Sequence, residues 1–256
     1  MTRKTLCLLG LLFFYNYGQS RNAREIADKS SNAVNLESLE MTSMLKIYDS
    51  KGNVRVRKVT NITRKFGETI KTKIKFLSPA DVSGTSMLIY DYKDKTDDMW
   101  IYLPATRKMR RIVSGEKGKN FMGSEFSNAD MSKPDMNDFS YKLLDNASIN
   151  GKKCWRVESV CKDENVIDVY GFSKKITYVT EEDFLPVKME FYDFNGDLFK
   201  VMLFDDYRKL DNGSQFAYHM EMKNLKNGRR SEMIVNQLKL GSKLTETDFS
   251  TVNLVK

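Results

Sequence analysis

Apolar and polar side chains alternate along most of this chain. The clearest run spans residues 70–76, where Ile70, Ile74 and Phe76 alternate with lysines. Such alternation predicts a strand with one buried face in an antiparallel sheet. Similar runs predict further strands at residues 44–48, 54–66, 86–92, 99–103, 152–162, 185–191, 198–204, 216–222 and 233–240.

Hairpin turns separate several of these runs, most clearly at residues 195–196, 211–213 and 227–228. Short strands joined by such turns predict an antiparallel sheet that curls. Residues 22–34 instead show helical spacing after Asn22, a favourable helix cap. We therefore predict a mainly β (α+β) fold with an N-terminal helix. Residues 244–249 fit either a short helix or the end of a strand.

The run at residues 99–103 is apolar on both faces of its predicted strand. Soluble antiparallel sheets avoid this unless something covers each face, so at least one face needs a partner. Pro104 then ends the strand, and four cations follow within residues 107–111. These cations are expected to form a basic turn.

Residues 114–131 turn loop-like around three glycines, yet they carry three large apolar side chains. These are Phe121, Met122 and Phe126, which are costly to leave in water. The segment is therefore a candidate lid. The alternative is that the three side chains form a small satellite core under a long loop.

Four short motifs follow one another in this region: FLSPADVSGTSMLIYDY from Phe76, WIYLP from Trp100, RKMRRI from Arg107 and FMGSEF from Phe121. An acidic residue and a methionine follow the last of them. Together they resemble the signature of the LolA-like outer-membrane lipoprotein-sorting proteins. The resemblance implies an incomplete β-barrel whose concave face is closed by helices and loops. It also implies a carrier of acyl chains across the periplasm, with an inner-membrane lipid transporter as a partner.

The first 20 residues have the order of a secretory signal peptide. Arg3 and Lys4 precede an apolar run, and the small residues Gly18 and Ser20 predict cleavage after Ser20. The apolar run is about ten residues long, against the roughly 20 that span a bilayer. We therefore expect a periplasmic protein whose residues 21–256 form a single domain, since no repeat, linker or low-complexity tract divides them.

The chain is basic, with 42 Lys and Arg against 34 Asp and Glu. Cleavage removes two cations and no acid, which leaves 40 against 34. A moderately basic exported protein suits transient contact with an anionic membrane surface or acidic partners, and export disfavours nucleic acid as a partner. Arg107, Arg110 and Arg111 are the candidates for this contact, whereas the other charges are expected on solvated strand edges. We expect a monomer.

Two cysteines remain after cleavage, Cys154 and Cys161. On one strand they would be about 23 Å apart, whereas a disulfide needs Cα atoms about 4.4 to 6.8 Å apart. No turn residue between them folds the chain back, so both are expected to be buried free thiols.

Signals for catalysis are weak. His219 is the only histidine, and no nucleophile elbow, phosphate loop or metal-ligand spacing occurs in the sequence. Runs of carboxylates lie in polar turns, where they are usually solvated. We therefore expect no enzyme activity, no cofactor and no metal.

A lipid carrier has positive support. The chain has more apolar strand faces than one flat sheet would bury, and its methionines suit a variable lipid surface or, alternatively, fill gaps in a core. Strand parity is undecided, because a one-residue register slip exchanges the faces. The expected acyl contacts are Met87, Ile89, Trp100, Tyr102, Leu103, Phe121, Met122 and Phe126. The alternative function is a non-carrying binding subunit that docks on a lipid-exporting transporter or an anionic glycolipid through the arginines.

Overall fold

The computed structural model describes residues 22–33, 37–93 and 95–255. The predicted signal peptide lies outside these residues. The strands are β1 Ser38–Tyr48, β2 Val54–Phe66, β3 Thr69–Ser78, β4 Ser86–Asp91, β5 Asp98–Leu103, β6 Lys108–Arg111, β7 Phe139–Ile149, β8 Lys152–Cys161, β9 Lys174–Thr180, β10 Pro186–Tyr192, β11 Leu198–Lys209, β12 Gln215–Asn224 and β13 Arg230–Leu240. The helices are α1 Ala23–Asn32, α2 Ser114–Lys117, α3 Glu164–Tyr170 and α4 Thr251–Leu254.

All of these strands pair into one antiparallel sheet. Its order is β6-β5-β4-β3-β2-β1-β13-β12-β11-β10-β9-β8-β7, so only the β1–β13 contact joins strands that are distant in sequence. β6 and β7 are the two unpaired edges, and the chain between them must cross the open side of the sheet. This confirms the predicted single antiparallel sheet that does not close.

The sheet curls because its two halves share one core. Side chains from β1 to β5, from β7 and β8 and from β10 to β12 bury together, among them Leu45, Phe76, Phe139 and Phe191. We call this shared surface the concave face. Every second residue of a strand points to the concave face, as expected for an amphipathic sheet that is buried on one side.

Helix α1 begins where the sequence predicted. The Asn22 side chain accepts a hydrogen bond from the Arg24 backbone N–H at 2.9 Å, which caps the helix. Ile26 is buried in a small cluster with Trp155 and Val157 of β8. Within the described ranges, no helix has the length and apolar content to cross a membrane.

Several elements differ from the sequence-based expectation. The prediction of a basic turn at residues 107–111 is wrong in part. Lys108–Arg111 form the edge strand β6, and only Arg107 adopts a turn conformation, with φ of 52°. β7, β9 and α3 were not expected. β9 is buried on both faces over residues 176–180, so its sequence lacks the alternation that marks a half-buried strand. Residues 246–249 form a short helical turn, followed by α4.

Both cysteines lie on β8, at positions 154 and 161. Each is buried and free, as predicted. Burial raises the pKa of the Cys161 thiol to about 12, so this sulfur stays protonated at neutral pH and is a poor nucleophile.

Candidate functional site: the concave face and its covering segment

Strands β4 and β5 bury side chains on both of their faces, as the sequence predicted for residues 99–103 of β5. Met87 lies opposite Ile101, and Ile89 lies opposite Met99. Directly opposed residues share a face of the sheet, and these four belong to the concave face. Met87, Ile89 and Met99 are at most 1% exposed.

The other face of these strands is covered by the end of the chain. Trp100 and Tyr102 pack with Leu88, Phe249 and Leu254 in a separate cluster. The Tyr90 hydroxyl also donates a hydrogen bond to the Phe249 carbonyl at 2.7 Å. The residues expected to contact acyl chains therefore divide between two faces, and Trp100 and Tyr102 lie on the convex one, away from the candidate lid.

The remaining expected contacts share the concave side. Leu103 continues the parity of Met99 near the end of β5 and is partly exposed. Phe121 and Phe126 are 1% and 2% exposed, and Met122 packs against the same cluster. The Phe121 ring lies 5.7 Å from the ring of Phe76 on β3. Residues 114–131 therefore cover the concave face, and we call them the covering segment.

A tight local loop holds these aromatic side chains in place. Met122 and Gly123 both have positive φ, at 49° and 74°, which reverses the chain. The Phe121 N–H then donates to the Phe126 carbonyl at 2.7 Å, and the Ser124 hydroxyl donates to the Phe121 carbonyl at 2.7 Å. Both phenyl rings are thereby directed into the concave face by one short loop.

Side chains of the sheet attach this loop through its backbone carbonyls. Arg57 of β2 donates from Nη1 to the Met122 carbonyl, and Arg229 donates from Nη2 to the Gly123 carbonyl at 2.9 Å. Arg57 is only 8% exposed, and burial lowers the pKa of its guanidinium. The covering segment is thus joined to the sheet by individual polar contacts as well as by its buried aromatics.

Glu125 is the most extensively bound residue of the covering segment. It is 1% exposed, and its carboxylate accepts a hydrogen bond from Asn224 Nδ2 at 2.9 Å and lies 3.1 Å from Arg229 Nε. Its backbone N–H donates to Ser231 Oγ at 3.0 Å, and its carbonyl accepts from Lys200 Nζ at 2.9 Å. A buried carboxylate is stable only with such partners.

The beginning of the covering segment is fixed against helix α3. A Cβ atom on Gly118 would lie 2.7 Å from the Gly171 backbone nitrogen, so the two backbones meet where only glycine fits. Lys117 is 4% exposed and donates from Nζ to the Asp97 carbonyl at 2.9 Å. This end is packed more closely than the loop around Gly123, where an added Cβ would meet no atom within 4 Å.

A polar cleft of about 880 Å³ lies beside the covering segment, between the β4–β5 turn and α3. Burial, with the nearby charge of Asp97, raises the pKa of Asp91 to about 6. Asp91 accepts a hydrogen bond from the Lys133 N–H at 3.0 Å. Charged side chains such as Lys117 and Asp135 line this cleft together with apolar ones such as Met136 and Val166. Among the described residues, no group of three or more His, Cys, Asp or Glu is placed to hold a metal ion.

The three arginines singled out in the sequence lie near the β6 edge. Arg107 is exposed in its left-handed turn. Arg110 pairs with Glu116 at 2.7 Å, and Arg111 pairs with Asp98. Exposed pairs of this kind contribute little to stability, so the guanidinium groups stay accessible to a partner.

Sequence reasoning missed the cations that touch the covering segment. Arg57, Lys200 and Arg229 occur in strands or turns whose charges are typical of a solvated face, so the pattern gave no signal for them. Glu125 stood inside the FMGSEF motif, but only the apolar residues of that motif were expected to matter.

Comparison with known proteins agrees with this architecture. A model of a protein family described as "Uncharacterized protein" matches residues 68–256. A crystal structure of a Vibrio parahaemolyticus domain, provisionally assigned to outer membrane lipoprotein sorting, is 28% identical, with a TM-score of 0.84 over 92% of this chain and 100% of that one. A LolA superfamily protein from Nitrosomonas europaea shares the fold at 20% identity, with a TM-score of 0.71 over 90% and 98% of the two chains. The chain belongs to the family of that model, and its fold is LolA-like.

The LolA-like assignment confirms the resemblance seen in the four motifs. A DUF1329 family protein from Desulfovibrio piger is another similar structure, 25% identical with a TM-score of 0.84 over 91% of this chain and 97% of that one. The search of curated proteins gave no match. The open sheet and its covered concave face are therefore features of a LolA-like fold.

Proposed function

We propose that this LolA-like protein is a periplasmic carrier that shields acyl chains of lipids or lipoproteins on its concave face for delivery toward the outer membrane. The covering segment acts as its lid. Met87, Ile89, Leu103, Phe121, Met122 and Phe126 contact the acyl chains, and the protein works as a monomer without a cofactor.

The observation that carries this proposal is the way the concave face is covered. Phe121 and Phe126 pack on the concave face from the covering segment. This segment forms no backbone strand pairing with the sheet and is joined to it by side chains such as Arg57. Polar contacts to a loop can break one at a time, while the sheet keeps its own hydrogen bonds. Such a cover can leave without unfolding the protein.

The energetics favour exchange of the cover for cargo. Burying two phenylalanine side chains contributes roughly 3 to 6 kcal/mol by area bookkeeping. An acyl chain of about 16 carbons gains on the order of 12 kcal/mol at about 0.8 kcal/mol per buried methylene. The surplus is available to break the polar contacts of the covering segment, so cargo displaces the lid.

Mass spectrometry of lipids extracted from protein purified from its own periplasm tests this proposal. We expect acylated molecules in stoichiometric amounts with the wild type. The Ile89→Glu variant, which places a charge on the concave face, is expected to lose them or fail to fold. Wild-type protein that carries no acylated molecule, after gentle purification without detergent, would contradict a carrier role.

We further propose that Arg107, Arg110 and Arg111 contact an acidic surface of a lipid transporter or an anionic headgroup during transfer. This proposal is supported by the exposure of the three arginines at the β6 edge and by the ability of a guanidinium group to bind a phosphate or carboxylate through two hydrogen bonds. Replacing all three by glutamine should weaken transfer between vesicles and reduce its sensitivity to salt. An equal loss of thermal stability would instead assign them to structural ion pairs.

A further inference from the structure

A row of residues with three polar members crosses the concave face. Lys175 of β9 lies opposite Phe191 of β10, Phe191 lies opposite Lys200 of β11, and Lys200 lies opposite Asn224 of β12. Opposed residues share a face, so all four project to the same side. Phe191 is 5% exposed and belongs to the concave core. Arg229 follows in the next turn and reaches the same region through Glu125.

The lysines of this row are poorly compensated. Burial lowers the pKa of both Lys175 and Lys200, whereas the negative charge of Asp130 raises the pKa of each. Lys200 donates its hydrogen bond to the neutral carbonyl of Glu125. Lys175 Nζ makes no hydrogen bond or ion pair with any residue that the structure describes. It lies 5.4 Å from the Phe139 ring and 5.8 Å from the Phe172 ring.

The acids near this row come from the covering segment. Glu125 and Asp130 both belong to it, and they are the carboxylates that act on Lys200. The fit of Glu125 is incomplete, because its Oε1 and Arg229 Nε approach to 3.1 Å without the alignment of a hydrogen bond. Both atoms are buried with no hydrogen-bond partner among the described residues. Native proteins rarely leave buried charged atoms in this condition.

Opening of the covering segment would therefore expose Lys175, Lys200 and Arg229 without their acids. We propose that this row binds the anionic headgroup of an amphiphile, a phosphate or a carboxylate, and that Glu125 occupies the site when the protein is empty. The inference rests on the proposed carrier function and adds the chemical class of its cargo. A phosphate offers more acceptor oxygens than the Glu125 carboxylate, and it would give Lys175 a charged hydrogen-bond partner.

Calorimetric titration with decyl phosphate and decanol tests the row, because the two probes share a chain and differ in charge. We expect Lys175→Met to weaken decyl phosphate binding about tenfold or more, the loss of one charge-assisted contact. Decanol binding should stay within about twofold. Lys174→Met is the matched control, since Lys174 is the adjacent residue, has the opposite parity and pairs with Glu158 at 3.0 Å. It should change neither affinity.

The Glu125→Gln variant provides a second test that does not depend on Lys175. Removing the competing carboxylate should tighten decyl phosphate binding several-fold and affect decanol less. Equal affinity of the wild type for both probes, with no effect of either substitution, would overturn the inference while leaving a carrier of neutral chains. If neither probe binds, the carrier proposal itself fails. Inorganic phosphate binding as tightly as decyl phosphate would overturn the assignment to an amphiphile in favour of the free ion.

Discussion

Arg57 of β2 donates a hydrogen bond from its guanidinium to the backbone carbonyl of Met122, which joins the covering segment to an interior strand of the sheet. The same guanidinium lies 5.8 Å from the Phe76 ring, beside the site that Phe121 occupies. One side chain therefore fixes the loop and borders the apolar surface beneath it. The account of a detachable cover depends on contacts of this kind.

Arg57→Met should release the loop and leave the sheet intact. Methionine keeps much of the apolar packing but cannot donate, so the covering segment should lose about 1 to 3 kcal/mol of local stability. Amide hydrogen exchange over residues 119–126 would then accelerate roughly 5- to 150-fold. Lys58→Met, an exposed neighbour on the same strand, should leave exchange there unchanged. Equal exchange in all three proteins would show that Arg57 does not hold the segment.

Gly123→Ala should strain the same loop from within. Gly123 has φ of 74°, and a Cβ there would meet no atom within 4 Å, so the cost is conformational alone. We expect a loss of about 1 to 2 kcal/mol in the stability of the loop. Gly115→Ala is the control, because its Cβ would also meet open space and its φ is ordinary. Chemical denaturation with exchange over residues 119–126 would reveal the difference, and matching behaviour of the two variants would refute it.

Leu88 and Ile89 allow the two faces of β4 to be separated. They are adjacent and 0% and 1% exposed, yet Leu88 packs under the C-terminal segment and Ile89 on the concave face. Truncation of either to alanine should cost about 2 to 5 kcal/mol of unfolding free energy. Only Ile89→Ala should change the affinity for decanol, measured by calorimetry. A similar change in Leu88→Ala would argue against the concave face as the binding surface.

Asp91 should give the stability of the protein a distinctive pH dependence. Its pKa is raised to about 6 in the folded protein, against 3.8 ordinarily, so between these values the folded state binds the proton more tightly than the unfolded state. The stabilisation that the folded state gains from the Asp91 proton is therefore present below about pH 4 and is lost as the pH rises to about 6. Asp91→Asn should remove this slope and add about 3 kcal/mol at pH 7. Denaturation across pH would test this, with the exposed Asp145→Asn as control; an unchanged slope in Asp91→Asn would contradict it.

The strands with one buried face could be predicted from the sequence. In β3, Thr72, Ile74 and Phe76 are buried and the intervening lysines are partly exposed, so the alternation gives the strand directly. β9 was missed because tertiary packing buries both of its faces. β7 was missed because the polar and charged residues of its middle leave few buried positions to form a pattern.

The site was predictable only in part. Phe121 and Phe126 stood out because apolar side chains in a glycine-rich loop need a place to be buried. Which residues of β5 face the concave side could not be predicted. Met99 and Trp100 are both apolar, and only the fold decides which face the C-terminal segment covers. Lys175 and Lys200 carried no signal, because a lysine in an amphipathic strand is normally solvated.

The central claim is that cargo and covering segment compete for the same apolar surface. Hydrogen exchange of residues 114–131, compared between lipid-free and lipid-loaded protein, measures this competition directly. The account predicts that loading accelerates exchange around Phe121 and Phe126, while the amides that join β1 to β13 keep their protection. Identical protection of the covering segment in both states would contradict it, and would make this segment a permanent part of the core.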